Sequence, residues 1–382
     1  MKRRIFFYVQ HLLGIGHLKR AATLARALAQ RFEVTLVSGG HAVPDLELGQ
    51  ASLHQLPPTR ATDLYFKLLV DEHDQPIDDD WRRHRRDALL AAYREIAPQA
   101  LLFELFPFGR RQMRFELLPL LEQAAAARPR PLIACSVRDI LVGQHKPERN
   151  DEMLSLIERY FERILVHGDP ELIALDETFP HTARIKGRLA YTGYVVDESG
   201  RRGGLGAAGW DEVVVSAGGG AVGFDLLEAA IAARRLSRAA DATWRVLVGY
   251  KVADQEFAAL AAEARQAGAG LIVERARGDF PTLLMNCRLS ISQGGYNTVM
   301  ETLRAGARAV VVPYAGGIET EQTLRARLLA ERGRLEVVAE DELDADKLAA
   351  AVDRALAGPP ARAQVDTGGA GKTAALLEQW LA

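Results

Sequence analysis

The chain has 382 residues, 48% hydrophobic and 26% charged, with a net charge of −2; this fits a soluble globular protein long enough for two domains. The even charge balance excludes a global electrostatic footprint for nucleic acid. No apolar stretch reaches the roughly 18 residues of a membrane span, and the opening MKRRIFFYVQ is too short in its apolar run for a signal peptide.

In chain order, apolar runs at 5–9, 34–38, 53–56, 101–105, 132–136, 164–167 and 188–192 predict strands. Alanine- and leucine-rich stretches at 21–30, 88–96 and 115–126 predict helices between them. Continuous apolar strands alternating with helices predict a parallel sheet covered on both faces. Cys135 and Cys287 lie far apart in apolar runs and read as buried thiols of a cytosolic protein.

After Val196 the glycine-rich polar segment DESGRRGGLGAAGWDE reads as a linker, residues 197–210. The alternation then restarts, with strands predicted at 212–216, 245–248, 271–273, 289–292, 309–312 and 336–338. Helices are predicted at 224–236, 257–267, 298–305, 321–331 and 345–356. The expected fold is α/β, with two doubly wound Rossmann-like domains, 1–196 and 211–358, facing each other across a cleft. Ligands bind such folds at the carboxyl ends of the strands. A tail, 359–382, is expected to end in a helix at 373–381 that packs back across the domains. Its TGGAGKTAALL resembles a phosphate loop, but Asp366 stands where that loop needs glycine and no strand precedes it. The tail therefore reads as a glycine-rich hinge feeding a helix.

Two glycine turns mark the second half. VSAGGGAVG follows its first strand, and Gly218, Gly219 and Gly220 would let backbone approach a diphosphate closely. In SQGGYNTVMETLRAG, Gly294 and Gly295 end a strand, and Asn297 and Thr298 are placed to cap the helix that follows. Unpaired amides and the helix dipole there suit a phosphate. Glu301, one turn on, offers only acceptors, as two ribose hydroxyls require, or serves as a capping glutamate. The next predicted strand ends at Pro313, and Glu321 and Gln322 open another helix.

The ordered set of glycine turn, GG-x-N-T-x-x-E, Val-Val-Pro and E-Q resembles the donor half of GT-B glycosyltransferases. It is most similar to the MurG-like, family 28 enzymes, and GYVV at Gly193 to Val196 matches their exit into the interdomain linker. The resemblance implies that Glu301 holds a donor ribose, that Glu321 and Gln322 reach the donor sugar, and that the glycine turns hold the diphosphate. Tyr296, Asn297 and most of the first domain depart from the family, so the acceptor is not carried over.

GIGHLKR, residues 14–20, resembles the G-x-G-H turn that ends the first strand in these enzymes. Gly14 and Gly16 would shape an acceptor-side loop, and the histidine matching His17 is the catalytic base in several related families. A helix start disfavours imidazolium, so His17 would be a neutral base, or else a local helix cap. His11, at the strand end, is the weaker candidate. Glu104, at the end of LLFE, is expected to orient His17, with Asp139 of CSVRD next.

No metal is expected, because Asp78, Asp79 and Asp80 read as the acidic start of a basic helix. Arg82, Arg83, Arg85 and Arg86, with Arg110, Arg111 and Arg114, read as a solvated basic face or as a contact for an anionic acceptor or lipid head group. Tyr65, Phe66, Phe103, Phe106 and Phe108 read as core or as the lining of an acceptor pocket. The resemblance implies inverting sugar transfer from a nucleotide-sugar, a UDP-sugar, to a small-molecule, glycan or lipid-linked acceptor. Partners would include no nucleic acid, and the enzyme would be cytoplasmic or peripheral at the inner face of a membrane. A nucleotide-sugar hydrolase or epimerase of the same fold stays open, as does a sugar-nucleotide sensor. Lys19, in place of a third glycine, argues against an NAD-dependent dehydrogenase.

Overall fold

The computed structural model describes residues 2–44, 46–63, 66–141, 147–218, 223–315, 321–358 and 365–382. It divides into two units, Met1–Val195 with Asp366–Ala382, and Val196–Val365. The elements in chain order begin β1 (Arg4–Val9), α1 (Gly16–Leu28), β2 (Glu33–Ser38), β3 (Ser52–Gln55), β4 (Arg60–Ala61), β5 (Leu69–Val70) and α2 (Asp79–Ile96). Then come β6 (Ala100–Glu104), α3 (Arg114–Ala126), β7 (Leu132–Arg138), α4 (Pro147–Tyr160), β8 (Arg163–His167), α5 (Thr182–Ile185) and β9 (Leu189–Tyr191). The second unit holds β10 (Val213–Ser216), α6 (Phe224–Ala233), β11 (Trp244–Val248), α7 (Asp254–Ala267), β12 (Leu271–Arg275) and α8 (Phe280–Asn286). It continues with β13 (Leu289–Ser292), α9 (Tyr296–Ala305), β14 (Arg308–Val311), α10 (Glu321–Glu331), β15 (Glu336–Val337) and α11 (Ala345–Ala357). The last element, α12 (Gly369–Leu381), belongs to the first unit.

The first unit is built on a sheet of order β3-β2-β1-β6-β7-β8-β9, all parallel. The second has the order β12-β11-β10-β13-β14-β15, also parallel. Each is doubly wound, and the strand order reverses between β1 and β6 in one and between β10 and β13 in the other. Ile5 to Val9 are all fully buried, because helices cover both faces of a parallel sheet and leave no alternation to the strand.

The second unit begins at Val196, earlier than the expected boundary, because segment 197–210 is hydrogen-bonded into it rather than hanging as a linker. Asn286 on α8 accepts from the Gly203 amide at 2.9 Å and donates to the Ala208 carbonyl at 2.9 Å. Helix α2 starts well before residue 88, since Asp78 caps it by accepting from the Trp81 amide at 2.8 Å. The hairpin β4–β5 and helices α4 and α8 were not among the predicted elements. The hairpin strands have two residues each, too short to show a period, and α4 is dominated by charge.

The tail serves packing. Ala370, Ala374 and Leu377 of α12 join the core cluster of Leu18, Leu24 and Leu28 on α1. A Cβ at Gly369 would lie 2.3 Å from the Gly193 carbonyl oxygen, so glycine lets the tail cross that strand exit closely. Lys372 pairs with Asp366 rather than standing ready for a phosphate. Phe103, Phe106 and Phe108 lie in the main core of the first unit, not around a pocket. Tyr65 lies outside the described residues.

Candidate active site

At the reversal between β1 and β6, two strand ends bring His17 and Glu104 together. His17 is the second residue of α1, whose first-turn amides have no intrahelical partner, and Gly16 opens the helix. Nothing lies within 4 Å of a Cβ built at Gly14, so the turn stays open there. Glu104 ends β6 and is fully buried. His17 Nδ1 lies 2.8 Å from Glu104 Oε1. Arg20, one turn along α1, also pairs with that oxygen, and Ser136 Oγ donates to the other at 2.8 Å.

Charge and donor capacity fix the state of the imidazole. A carboxylate only accepts, so Nδ1 carries the proton, and Arg138 Nη2, which only donates, lies 2.9 Å from Nε2. His17 is therefore neutral with its lone pair on Nε2. Burial, then the positive charges of Arg138 and Arg110, push its pKa down to about 3, against the opposing pull of Glu104. Burial alone would raise the Glu104 carboxyl, but Arg20 and His17 together hold it well below the usual carboxylate range.

The contacts continue inward. Ser136 Oγ lies 2.9 Å from His167 Nε2, and His167 Nδ1 lies 2.8 Å from Thr192 Oγ1. Burial and the nearby Arg20 lower the His167 pKa to about 3. Arg20, Ser136, Arg138 and His167 were all missed from the sequence. Their only signal was position at a strand end or one turn into a helix, which acquires meaning once Glu104 is registered against Ser136.

Asp139 is buried, and its oxygens accept from Tyr194 OH at 2.8 Å and the Ile140 amide at 2.9 Å. His11 is buried at the end of β1, with its pKa lowered to about 4, chiefly by burial. The basic face resolves into paired groups: Arg82 with Asp79, Arg83 with Asp80, Arg86 with Asp87, and Arg111 and Arg114 with Glu152. Arg85 is no surface residue. It is fully buried, donates to Gln10 Oε1 at 2.9 Å and Glu116 Oε1 at 3.1 Å, and braces the end of β1 from below. Arg110 donates to the Gln10 carbonyl at 2.6 Å.

The second unit gathers its own predicted residues at the reversal between β10 and β13. Gly218 has a positive φ of 80° just after β10, and its amide donates to Ser216 Oγ at 3.2 Å. Gly219 and Gly220 lie outside the described residues. Gly223 stands just before α6, and a Cβ on it would lie 2.5 Å from the Gln293 side chain after β13, so the start of α6 lies beside the end of β13. Gly294 has φ 80°, and its Cβ would meet Val311 Cγ1 at 2.5 Å. Gly295 is the residue before α9, with no side-chain cap. Asn297 and Thr298 do not cap this helix: they are its second and third residues, two and three positions past the cap position at Gly295, too far in for their side chains to receive its first amides. Glu301 is half-buried on α9. Glu321, at the start of α10, accepts from Arg325 at 2.7 Å, and Arg325 lies over the Tyr296 ring at 4.8 Å. Gln322 Oε1 accepts from the Tyr314 amide at 3.3 Å. The starts of α9 and α10 are thus joined through one buried arginine.

Among the described residues no group of three His, Cys, Asp or Glu is placed to hold a metal ion, and no helix is long and apolar enough to cross a membrane.

Comparison with known proteins matches residues 215–379 to the glycosyltransferase family 28 C-terminal domain. A UDP-N-acetylglucosamine--N-acetylmuramyl-(pentapeptide) pyrophosphoryl-undecaprenol N-acetylglucosamine transferase of Rhizobium meliloti (strain 1021) is 33% identical over 90 residues, 24% of each chain. The corresponding transferase of Rhodopseudomonas palustris (strain BisB18) is 30% identical over 122 residues, 32% of each chain. The chain thus spans about a quarter to a third of the length of these curated relatives. Among solved structures, the calicheamicin glycosyltransferase CalG4 superposes with TM-score 0.68 at 17% identity, covering 100% of this chain and 99% of its own. MurG of Acinetobacter baumannii superposes with TM-score 0.63 at 14% identity, covering 98% and 99%. Residues 215–379 are similar to the glycosyltransferase family 28 C-terminal domain, and the chain has the fold of these GT-B glycosyltransferase structures.

Proposed function

We propose that the protein transfers a sugar, with inversion and without a metal, from a nucleotide-sugar to an acceptor hydroxyl. The carrying observation is the neutral His17, fixed by Glu104 at 2.8 Å with its lone pair on Nε2. In the reaction the acceptor proton passes to Nε2. The acceptor oxygen bonds the anomeric carbon as the bond to the diphosphate breaks, and that electron pair leaves with the diphosphate. Glu104 then faces the imidazolium and stabilises it, as a buried carboxylate does for a base histidine.

The second unit would hold the donor. Gly218 and Gly294 bring backbone close at the strand ends, the first-turn amides and dipole of α9 suit a diphosphate, and Glu301 suits a ribose. The names of the relatives support a UDP-sugar, with helix and turn amides rather than a metal neutralising the leaving group. By the family resemblance, Glu321 and Gln322 would reach the donor sugar. The acceptor is a small molecule, a glycan or a lipid-linked species. The work would be done in the cytoplasm, at the inner face of the membrane where the acceptor is lipid-linked.

The same base would serve water, so a nucleotide-sugar hydrolase is the second reading. Purified protein incubated with UDP-sugars, with and without a panel of acceptors, separates the two. Transfer requires a glycosylated product and slow donor loss without acceptor. Fast stoichiometric hydrolysis with no acceptor would overturn the transferase reading.

A further inference from the structure

Glu104 is held from two sides. His17 and Arg20 of α1 take Oε1, and Ser136, its register partner on β7, donates its hydroxyl to Oε2 at 2.8 Å. A carboxylate held at one oxygen still turns about its last side-chain bond, because such torsions have broad minima. Held at both oxygens, it keeps Oε1 on the Nδ1 proton of His17. The proposed transfer needs that contact, since it leaves the lone pair on Nε2.

The Ser136 hydroxyl is itself directed. It has one proton, and a carboxylate only accepts, so that proton goes to Glu104. Towards His167 the Ser136 oxygen therefore accepts, and His167 Nε2, 2.9 Å away, carries the proton between them. The Thr192 hydroxyl lies 2.8 Å from the other ring nitrogen, Nδ1. Two hydrogen bonds thus run in one sense, from the end of β8 through β7 to the carboxylate at the end of β6.

Packing alone does not call for this arrangement. Ser136, His167 and Thr192 are fully buried, and a buried polar side chain carries a desolvation cost that an apolar one of the same shape avoids. Their neighbours along the strands, Cys135, Val137 and Val166, are apolar and as deeply buried. Donors in series polarise one another, so the bond that reaches Glu104 is strengthened by the one behind it.

We infer that Ser136 is a positioning residue for sugar transfer and that His167 acts through it, the two holding the Glu104 carboxylate in the plane that orients His17. The inference rests on the reading of His17 as the base. Neither residue is asked to bind substrate or to move a proton. Loss of either leaves His17 and Glu104 in place but free to turn, so the base meets the acceptor in productive geometry for a smaller fraction of the time.

The test uses the full chain with Ser136→Ala, His167→Phe and the double variant, beside Ser136→Thr, which keeps the hydroxyl. In Ser136→Ala the kcat for transfer is expected to fall about tenfold, with KM for donor and acceptor within about twofold. Ser136→Thr should recover most of the lost rate. His167→Phe should be slowed in the same way, and the double variant should be no slower than Ser136→Ala, because groups acting through one another are not additive. Solvent exchange of the His17 Nδ1 proton, read in ¹⁵N–¹H spectra without substrates, should quicken about tenfold in Ser136→Ala, the equivalent of one hydrogen bond to a charged group. If His167→Phe does not fold, His167→Leu takes its place, and Ser136→Ala still decides the role of the hydroxyl.

Unchanged kcat and unchanged exchange in Ser136→Ala overturn the inference, as does an equal loss of rate in Ser136→Thr. Losses that add in the double variant overturn the route from His167 through Ser136. A wild-type protein that transfers no sugar defeats the transfer reading instead, and the exchange rates still decide whether Ser136 holds the pair of Glu104 and His17.

Discussion

His17 acquires its chemistry from residues 87 and 121 positions away, Glu104 and Arg138. Removing the imidazole with His17→Ala is expected to lower transfer by about 10²–10⁴-fold, the usual share of a general base. Donor binding, measured by calorimetry, should stay within about twofold; donor turnover equal to wild type would remove His17 from the reaction. Because its pKa is lowered to about 3, His17 should stay unprotonated through mildly acidic conditions. The pH profile of kcat/KM is therefore expected to stay flat from about 7 down to about 5, and an acid limb centred near the ordinary 6.5 would contradict this.

The same depressed values carry a stability consequence. His17 and His167 have folded pKa values of about 3, against about 6.5 when unfolded. Between those limits the unfolded chain binds the extra protons, so stability is full above about pH 6.5 and is lost on acidification. Each group contributes a slope of up to about 1.4 kcal/mol per pH unit. In urea unfolding between pH 5 and 6, His167→Gln should flatten the dependence by about one such group, and an unaltered slope would show that His167 is not held neutral. At this scale the sequence exposed His17 and Glu104, because both stand next to recognisable turns. It hid Arg138, Ser136 and His167, because which strand end faces which depends on the register of β6 against β7.

At the scale of elements, the turn between β13 and α9 depends on one glycine more than the other. Gly294 has φ 80° and a Cβ there would lie 2.5 Å from Val311 Cγ1, whereas nothing lies within 4 Å of a Cβ at Gly295. Gly294→Ala should destabilise by about 1–3 kcal/mol from backbone strain and crowding, and Gly295→Ala by less than about 0.5 kcal/mol. Denaturant unfolding of the two variants checks this, and equal effects would refute the distinction. Both glycines look alike in SQGGYNT; only the neighbouring strand separates them. The same holds for Asn297 and Thr298, which have the right chemistry for caps but lie two and three positions past the cap residue Gly295. It holds again for Arg85, whose place in a run of arginines suggested solvent and whose contacts are buried.

At the scale of the molecule, two sheets of the same winding each put their polar residues at the reversal of strand order. A nucleotide that binds the folded second unit stabilises the chain by mass action. UDP at about 100 times its dissociation constant should add about 2.7 kcal/mol and raise the melting temperature by several degrees, whereas NAD should leave it unchanged. Equal or greater stabilisation by NAD in a thermal-shift series would reverse the donor assignment.

The sequence by itself determined the two parallel sheets, the order of their strands along the chain and the turns that open at their ends. Burial on both faces writes continuous apolar runs, and tight turns demand glycine, so these are local properties that composition and spacing carry. Only the tertiary structure decided where the chain changes from one unit to the other. Segment 197–210 looks like a linker by composition, yet its hydrogen bonds to Asn286 tie it to the second unit. It also decided the protonation of His17. His17 is neutral because burial and two arginines outweigh one carboxylate, and those partners meet only when β1, β6 and β7 lie side by side.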